Sequence, residues 1–324
     1  PVKFGISFTL THLNQAGALV NVYRDGSVGL NHGGTEMGQG LHVKVAQVAA
    51  RCFGIGLDRV RVSATDTSKV PNTSATAASS GSDLNGMAVK VACEEIKTRM
   101  TRFLAHAHGV RTRQTASRDG EVHVGGVILS AAEAVEACYL GRVSLSAAGY
   151  YRTPGLDWDR VKGQGHPFFY FAYSAAITEV ALDTLTGEYR ILRADIVHDV
   201  GESLNPAIDM GQIEGGYVQG VGWLTTEELV WDKAGRLATH APSTYKIPAA
   251  SDAPEVFNVT LWGKPNEADT IYRSKAVGEP PLMLGISALM ALSDSAAACG
   301  KRYPALDAPA TPERVLWAVK KARR

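Results

Sequence analysis

From Gly17 to Asn31 apolar and polar residues alternate on either side of Arg24-Asp25-Gly26-Ser27, the pattern of a β-hairpin closed by a tight turn. Beyond a glycine-rich run the period changes. Leu41, Val45, Val48, Ala49 and Cys52 recur at helical spacing, which predicts a helix over Leu41–Phe53. Val60-Arg61-Val62 reads as a strand, Pro71–Ser82 as a loop of small and hydroxylated residues, and a long helix follows from about Leu84 to Leu104. The second half has a similar order. Strands at Phe171–Leu182 and Glu188–Val197 flank Thr184-Leu185-Thr186-Gly187, and a helix follows from about Gly211 to Trp223. Strands are predicted near Glu227–Trp231 and Phe257–Trp262, with a turn at Asp232-Lys233-Ala234-Gly235, and a helix from Leu282 to Ala298. A distant internal duplication accounts for this likeness better than chance. Arg102–Gly126 is polar and turn-rich and reads as a surface excursion. The last helix has Thr311 as N-cap, Pro312 at its first position and then Glu313.

Composition narrows the class without naming a chemistry. The 324 residues are 45% hydrophobic and 20% charged, ordinary for packed globular domains, with a net charge of +1 that favours neither nucleic acid nor an acidic membrane surface. Cys52, Cys93, Cys138 and Cys299 form no Cys-x-x-Cys pair and lie at no zinc or iron–sulfur spacing, so they read as buried free thiols in a reducing cytoplasm. No run reaches the roughly 18 apolar residues of a membrane span. The strand-like Val2–Phe8 opens the chain without a methionine, as expected for a piece of a longer polypeptide.

Three segments combine small residues with isolated polar groups. The run His32-Gly33-Gly34-Thr35-Glu36-Met37-Gly38-Gln39-Gly40 precedes a helix, and Met-Gly-Gln returns at Met210-Gly211-Gln212. Glycine-rich turns at helix starts present free backbone N–H groups, so both read as cradles for one large anionic ligand. Thr73–Gly81 is the third, and its spacing alone favours helix-capping serines in a solvent loop over a ligand contact. Gly215 and Gly216 inside a helix cost about 1 kcal/mol each relative to alanine, which either close packing or a ligand would offset. Glu279 stands between Ala276-Val277-Gly278 and Pro280-Pro281, as a helix-start carboxylate or as a buried base. Phe168-Phe169-Tyr170-Phe171 reads as a buried strand, and His198-Asp199, pointing to opposite faces of a strand, form no dyad.

Taken together the blocks Lys3–Thr9, His32–His42, Pro71–Ser79, Leu204–Gly215, Pro242–Pro248 and Ser274–Pro281 resemble the xanthine dehydrogenase/xanthine oxidase family. The resemblance runs nearly end to end, along the C-terminal half of the molybdopterin-binding part. It is strongest to the molybdenum (large) subunit of bacterial members. It implies an α+β fold of mixed β-sheets covered by helices, in two related molybdopterin-binding lobes, 1–145 and 146–324, with the cofactor between them. It implies that Met37, Gly38, Gln39, Ala78, Ser79, Gln212 and Lys275 bind the cofactor. It implies that molybdenum would be held by the pterin dithiolene near Glu279 and Gln39, with no ligand from the protein. Family members often carry a serine two residues after the position of Ser79; Gly81 stands there, so that contact is missing. Phe8, Thr9 and Leu10 would line the substrate pocket, and Ala77 and Ala78 would keep it open for a flat ring.

The resemblance further implies that Glu279 is the general base of a molybdenum hydroxylase converting hypoxanthine and xanthine to urate. It would take the proton of a molybdenum-bound hydroxyl, whose oxygen attacks an electron-poor carbon while a hydride passes to the sulfido ligand. Electrons would leave through 2Fe-2S clusters and FAD on another chain to NAD+. A second glutamate, an arginine and a phenylalanine of the family's pocket lie in a preceding half that this chain lacks. The expected partners are that N-terminal half and an iron–sulfur/FAD subunit, in a cytoplasmic dimer of heteromers. A relative acting on aldehydes or other N-heterocycles, and a non-catalytic cofactor-binding or assembly module, are the alternatives.

Overall fold

A computed structural model describes the backbone strand Val2–Lys3 and residues 10–63, 65–70 and 72–324. Phe8 and Thr9 lie outside the described residues. The chain divides into two compact units. The first takes in Lys3–Phe171 and, after a long excursion, Pro265–Ala276; the second takes in Ala172–Lys264 and Val277–Arg324.

In the first unit the predicted hairpin is present as antiparallel strands Gln15–Val22 and Val28–His32. The helix Leu41–Phe53 (α1) then crosses over, so that Val60–Val62 pairs in parallel with Val28–His32. Leu41, Val45, Val48, Ala49 and Cys52 are all buried, as their spacing requires. The helix Gly81–Ala107 (α2) lies against the sheet and buries Leu84, Ala88, Val89, Ala92 and Ile96. Removing a side chain such as Ile96 from water contributes about 1.5–3 kcal/mol. The predicted surface excursion is instead structured. A meander of Thr115–Arg118, Glu121–Val124 and Val127–Ser130 leads into the helix Ala131–Leu140 (α3), which Ser130 and Glu133 start with a capping box.

The expected division at 145/146 falls inside this unit. Ser146–Arg152 pairs antiparallel with Gln15–Val22 and completes a four-stranded sheet.

The second unit opens with the antiparallel strands Ser174–Leu182 and Tyr189–His198. The helix Pro206–Thr225 (α4) follows, and Val256–Leu261 then pairs in parallel with Tyr189–His198. A hairpin, a crossover helix and a parallel third strand thus occur in both units, as the proposed duplication requires. No strand forms at Glu227–Trp231; Trp231 makes only an isolated bridge to Leu237. The predicted Leu282–Ala298 helix is a tighter 3-10 turn over Pro280–Gly285 that runs into the helix Ile286–Ala297 (α5). The helix Pro312–Arg323 (α6) packs on α5. Ile191, Ile196, Ile213, Tyr217 and Leu284 form the core of this unit. No helix among the described residues is long and apolar enough to cross a membrane.

Candidate functional site

The glycine run of the first unit is folded around its own carboxylate. Glu36 accepts hydrogen bonds from the N–H groups of Gly38 (2.9 Å), Gly40 (3.0 Å) and His42 (2.9 Å). Gln39 Oε1 accepts from Met37 N–H, and Gln39 Nε2 donates to the Thr35 carbonyl at 2.9 Å. Positive φ at Gly38 (95°) and Gly40 (73°) lets the chain curl this tightly, a conformation costly for other residues. Partial burial alone would raise the Glu36 pKa, but the three backbone donors outweigh it and hold the carboxyl below its ordinary range. This corrects the expectation of free N–H groups: Glu36 already occupies the anion position at the start of α1. What the loop offers outward is the Met37 side chain, 66% exposed.

The second segment meets the first. Thr35 N–H donates to Thr76 Oγ1 at 2.9 Å, and a Cβ on Gly33 would lie 2.0 Å from Thr73 Oγ1. Ala78 and Ser79 both take left-handed conformations, with φ of 57° and 55°, directly before α2. Each costs roughly 1–2 kcal/mol in a residue with a Cβ. No side chain caps α2, because the Ser80 hydroxyl donates to the Ala77 carbonyl at 2.9 Å. The backbone donors of this 27-residue helix start, its dipole and the bend before it fit an anionic group. Ala77 is exposed and Ala78 half-buried beside them. Leu10 is partly exposed in the same unit.

A buried polar chain underlies both helix starts. Asp83, in the first turn of α2 and 4% exposed, accepts a hydrogen bond from the Tyr170 hydroxyl at 2.6 Å. Burial pushes the Asp83 carboxyl up to about 7, opposed by the Tyr170 hydrogen bond and by Lys44. Lys44 is itself buried in the first turn of α1. The Tyr170 oxygen in turn accepts from the Ala276 N–H at 2.7 Å. Lys275 donates its ammonium to the Phe171 carbonyl at 3.0 Å. His32, buried under the glycine run, accepts from Gly34 N–H and is pushed down to about 4, chiefly by burial and then by His42. The aromatic run splits accordingly: Tyr170 is buried, while Phe171 and Tyr173 are exposed and only Phe171–Ala172 is strand.

In the second unit Met210-Gly211-Gln212 is not a loop. Asn205 caps α4 by accepting from Ile208 N–H at 3.1 Å, and Pro206 starts the helix, so all three residues lie within its second turn. The helix glycines separate into two groups. A Cβ on Gly216 would lie 2.8 Å from Pro281 Cβ, and one on Gly220 would lie 2.1 Å from the Leu282 carbonyl. Gly211 and Gly215 face open space. Close packing therefore explains Gly216 and Gly220 and sets the Glu279–Gly285 segment on α4, one turn beyond Gln212. Glu279 is exposed, not buried, and does not cap the turn it precedes; its carbonyl accepts from Leu282 N–H at 3.0 Å. His198 is fully buried, which lowers its pKa, and neither of its ring nitrogens has a hydrogen-bond partner among the described residues, so it forms no dyad with Asp199. No group of three or more metal-ligating His, Cys, Asp or Glu side chains gathers among the described residues.

The residues that sequence reasoning missed are Glu36, Lys44, Asp83 and Tyr170. Only Glu36 carried a signal, an acid four residues before the glycine that opens a helix.

A family model described as a molybdopterin cofactor-binding domain matches residues 1–254. Xanthine dehydrogenase of Oryza sativa subsp. japonica is 49% identical across 98% of this chain and 23% of the rice protein. Xanthine dehydrogenase/oxidase of Felis catus is 49% identical across 97% of this chain and 23% of its own length. The chain thus spans under a quarter of these relatives. Among solved structures, quinoline 2-oxidoreductase from Pseudomonas putida 86 shares the fold, with a TM-score of 0.83 at 24% identity over 95% of this chain and 38% of that one. Aldehyde oxidoreductase from Desulfovibrio desulfuricans aligns with a TM-score of 0.76 at 26% identity over 98% of this chain and 31% of that one. The chain belongs to the molybdopterin cofactor-binding domain family.

Proposed function

We propose that this chain is the molybdopterin-binding portion of a xanthine dehydrogenase that oxidises hypoxanthine and xanthine. The observation that carries the reading is 49% identity to xanthine dehydrogenases over nearly the whole chain. The uncapped, strained start of α2 supplies a fitting seat for an anionic pterin. Ala78 and Ser79 would hold the cofactor there through backbone and hydroxyl donors, with Met37, Gly38 and Gln39 beside them. Gln212 would bind it from the open Gly211–Gly215 face of α4, and Lys275 would complete the set.

When bound, the cofactor supplies a two-electron acceptor for hydroxylation of an electron-poor ring carbon. Glu279 would accept at its carboxylate the proton of the water-derived hydroxyl whose oxygen adds to that carbon, and the electron pair of the broken carbon–hydrogen bond would pass to the cofactor. Glu279 is exposed in this chain. By the resemblance, Phe8 and Thr9 would serve a flat purine ring, and Leu10, Ala77 and Ala78 would line the space around it. The remaining pocket residues belong to a preceding half. 2Fe-2S clusters and FAD on a partner chain would carry the electrons on to NAD+, in a cytoplasmic dimer of heteromers.

The test is turnover by the intact, molybdenum-loaded enzyme of hypoxanthine and xanthine against aromatic aldehydes. Preferred oxidation of the purines to urate is expected. Aldehyde oxidation without purine activity would transfer the chain to the aldehyde-oxidising relatives.

A further inference from the structure

Tyr170 sits at the junction of every segment assigned to the site in the first unit. Its hydroxyl donates to Asp83 Oδ2 at 2.6 Å and accepts from Ala276 N–H at 2.7 Å, with 7% of the residue exposed. Asp83 lies four residues after Ser79, in the first turn of α2. Lys44 acts on Asp83 from the first turn of α1, four residues after Gly40. Ala276 lies three residues before Glu279.

The chain reaching Ala276 is held stiffly. Asn266 Nδ2 donates to Thr270 Oγ1 and to the Ser274 carbonyl, both at 3.2 Å, and Thr270 Oγ1 donates to that carbonyl at 2.6 Å. Lys275 is tied to the Phe171 carbonyl at 3.0 Å, one residue from the Tyr170 anchor. Tyr272 and Arg273 hold positive φ values of 46° and 62°, a strain that persists only where surroundings enforce it. These bonds hold Ser274 and Lys275, the two residues before Ala276. A hydrophobic side chain would fill the Tyr170 site more cheaply if packing were its only purpose, since burying Asp83 requires a dedicated donor.

We propose that Tyr170, held by Asp83, is a positioning residue that fixes the backbone at Ala276 and thereby the origin of the Val277–Glu279 segment bearing the base. The proposal rests on the assignment of Glu279 as the base. Removing the hydroxyl leaves the buried Ala276 N–H without an acceptor and lets the segment move. Base placement suffers, while purine binding and cofactor loading do not.

The test is Tyr170→Phe in the intact enzyme, read by amide hydrogen exchange in peptides spanning Arg273–Glu279, molybdenum content, and kcat and KM for xanthine. An unsatisfied buried donor predicts exchange at Ala276 faster by about tenfold or more, with kcat lowered by a similar factor. KM and molybdenum content are expected to stay within about twofold, the signature of an interaction that matters at the reaction and not in binding. If Tyr170→Phe does not fold, Asp83→Ala carries the same expectation with smaller effects. Asp83→Asn, which keeps an acceptor for the hydroxyl, is expected to remain within about threefold of wild type. Unchanged exchange at Ala276, or faster exchange with unchanged kcat, would overturn the proposal. Loss of molybdenum in step with kcat would also overturn it, in favour of a purely structural role. Wild-type enzyme inactive on purines would instead refute the purine assignment, because the exchange measurement requires no substrate.

Discussion

A carboxyl group buried as Asp83 is keeps its proton to a higher pH than the same group in the unfolded chain. Burial raises it from 3.8 to about 7 in the folded state, against the opposing pull of Tyr170 and Lys44. Between those values the folded protein binds more protons than the unfolded one. Stability from this group is therefore full below about pH 4 and falls as pH rises through about 7. Asp83→Asn removes the loss. Urea denaturation should show the variant gaining on wild type between pH 5 and pH 8, by on the order of 2 kcal/mol. A difference independent of pH would mean that Asp83 is ionised in the folded state throughout that range. Asp83 and Tyr170 were not legible as a pair, because 87 residues separate them and nothing local marks either one. Glu279 was legible only through the motif around it. In the fold it is exposed and stands at the start of the Pro280–Gly285 turn without capping it, so the helix-start position holds and burial does not.

Helix starts are where sequence pattern and structure diverge most. The α1 N-cap is glycine with no side chain, and the sequence pattern suggests donors left open there. Glu36 closes them from four residues upstream, through a turn that only Gly38 and Gly40 permit. Glu36→Ala should lower stability by about 1 kcal/mol, as loss of a helix cap does, read as a drop in Tm. An unchanged Tm would mean that Glu36 holds the loop only nominally. The glycines of α4 separate by environment in a way their spacing alone does not reveal. Gly220→Ala places a Cβ against the Leu282 backbone and should destabilise by roughly 1–3 kcal/mol in chemical denaturation.

The long elements were legible: α1, α2 and both hairpins lie where the residue pattern puts them, and α6 where its starting residues do. The Thr115–Ser130 meander was hidden because few of its residues, Val122 and Val124 among them, are buried, too few for a clear alternation. Glu227–Trp231 shows the reverse. Its apolar residues look strand-like, yet Leu229, Val230 and Trp231 are exposed and have no strand to pair with.

On the scale of the whole molecule, each unit is built on a hairpin, a crossover helix and a parallel third strand. The likeness of the two halves was legible because element order survives sequence divergence. The division between them was not, because Ser146–Arg152 and Pro265–Ala276 return to the first unit from far along the chain. The central claim is that this chain holds the molybdenum cofactor and supplies the base that works beside it. Glu279→Gln separates holding from working, since it preserves shape and removes the proton acceptor. In the intact enzyme the variant should retain wild-type molybdenum content while kcat for xanthine falls by at least about a hundredfold, the scale of a lost general base. Near-normal kcat at full molybdenum content would contradict the account.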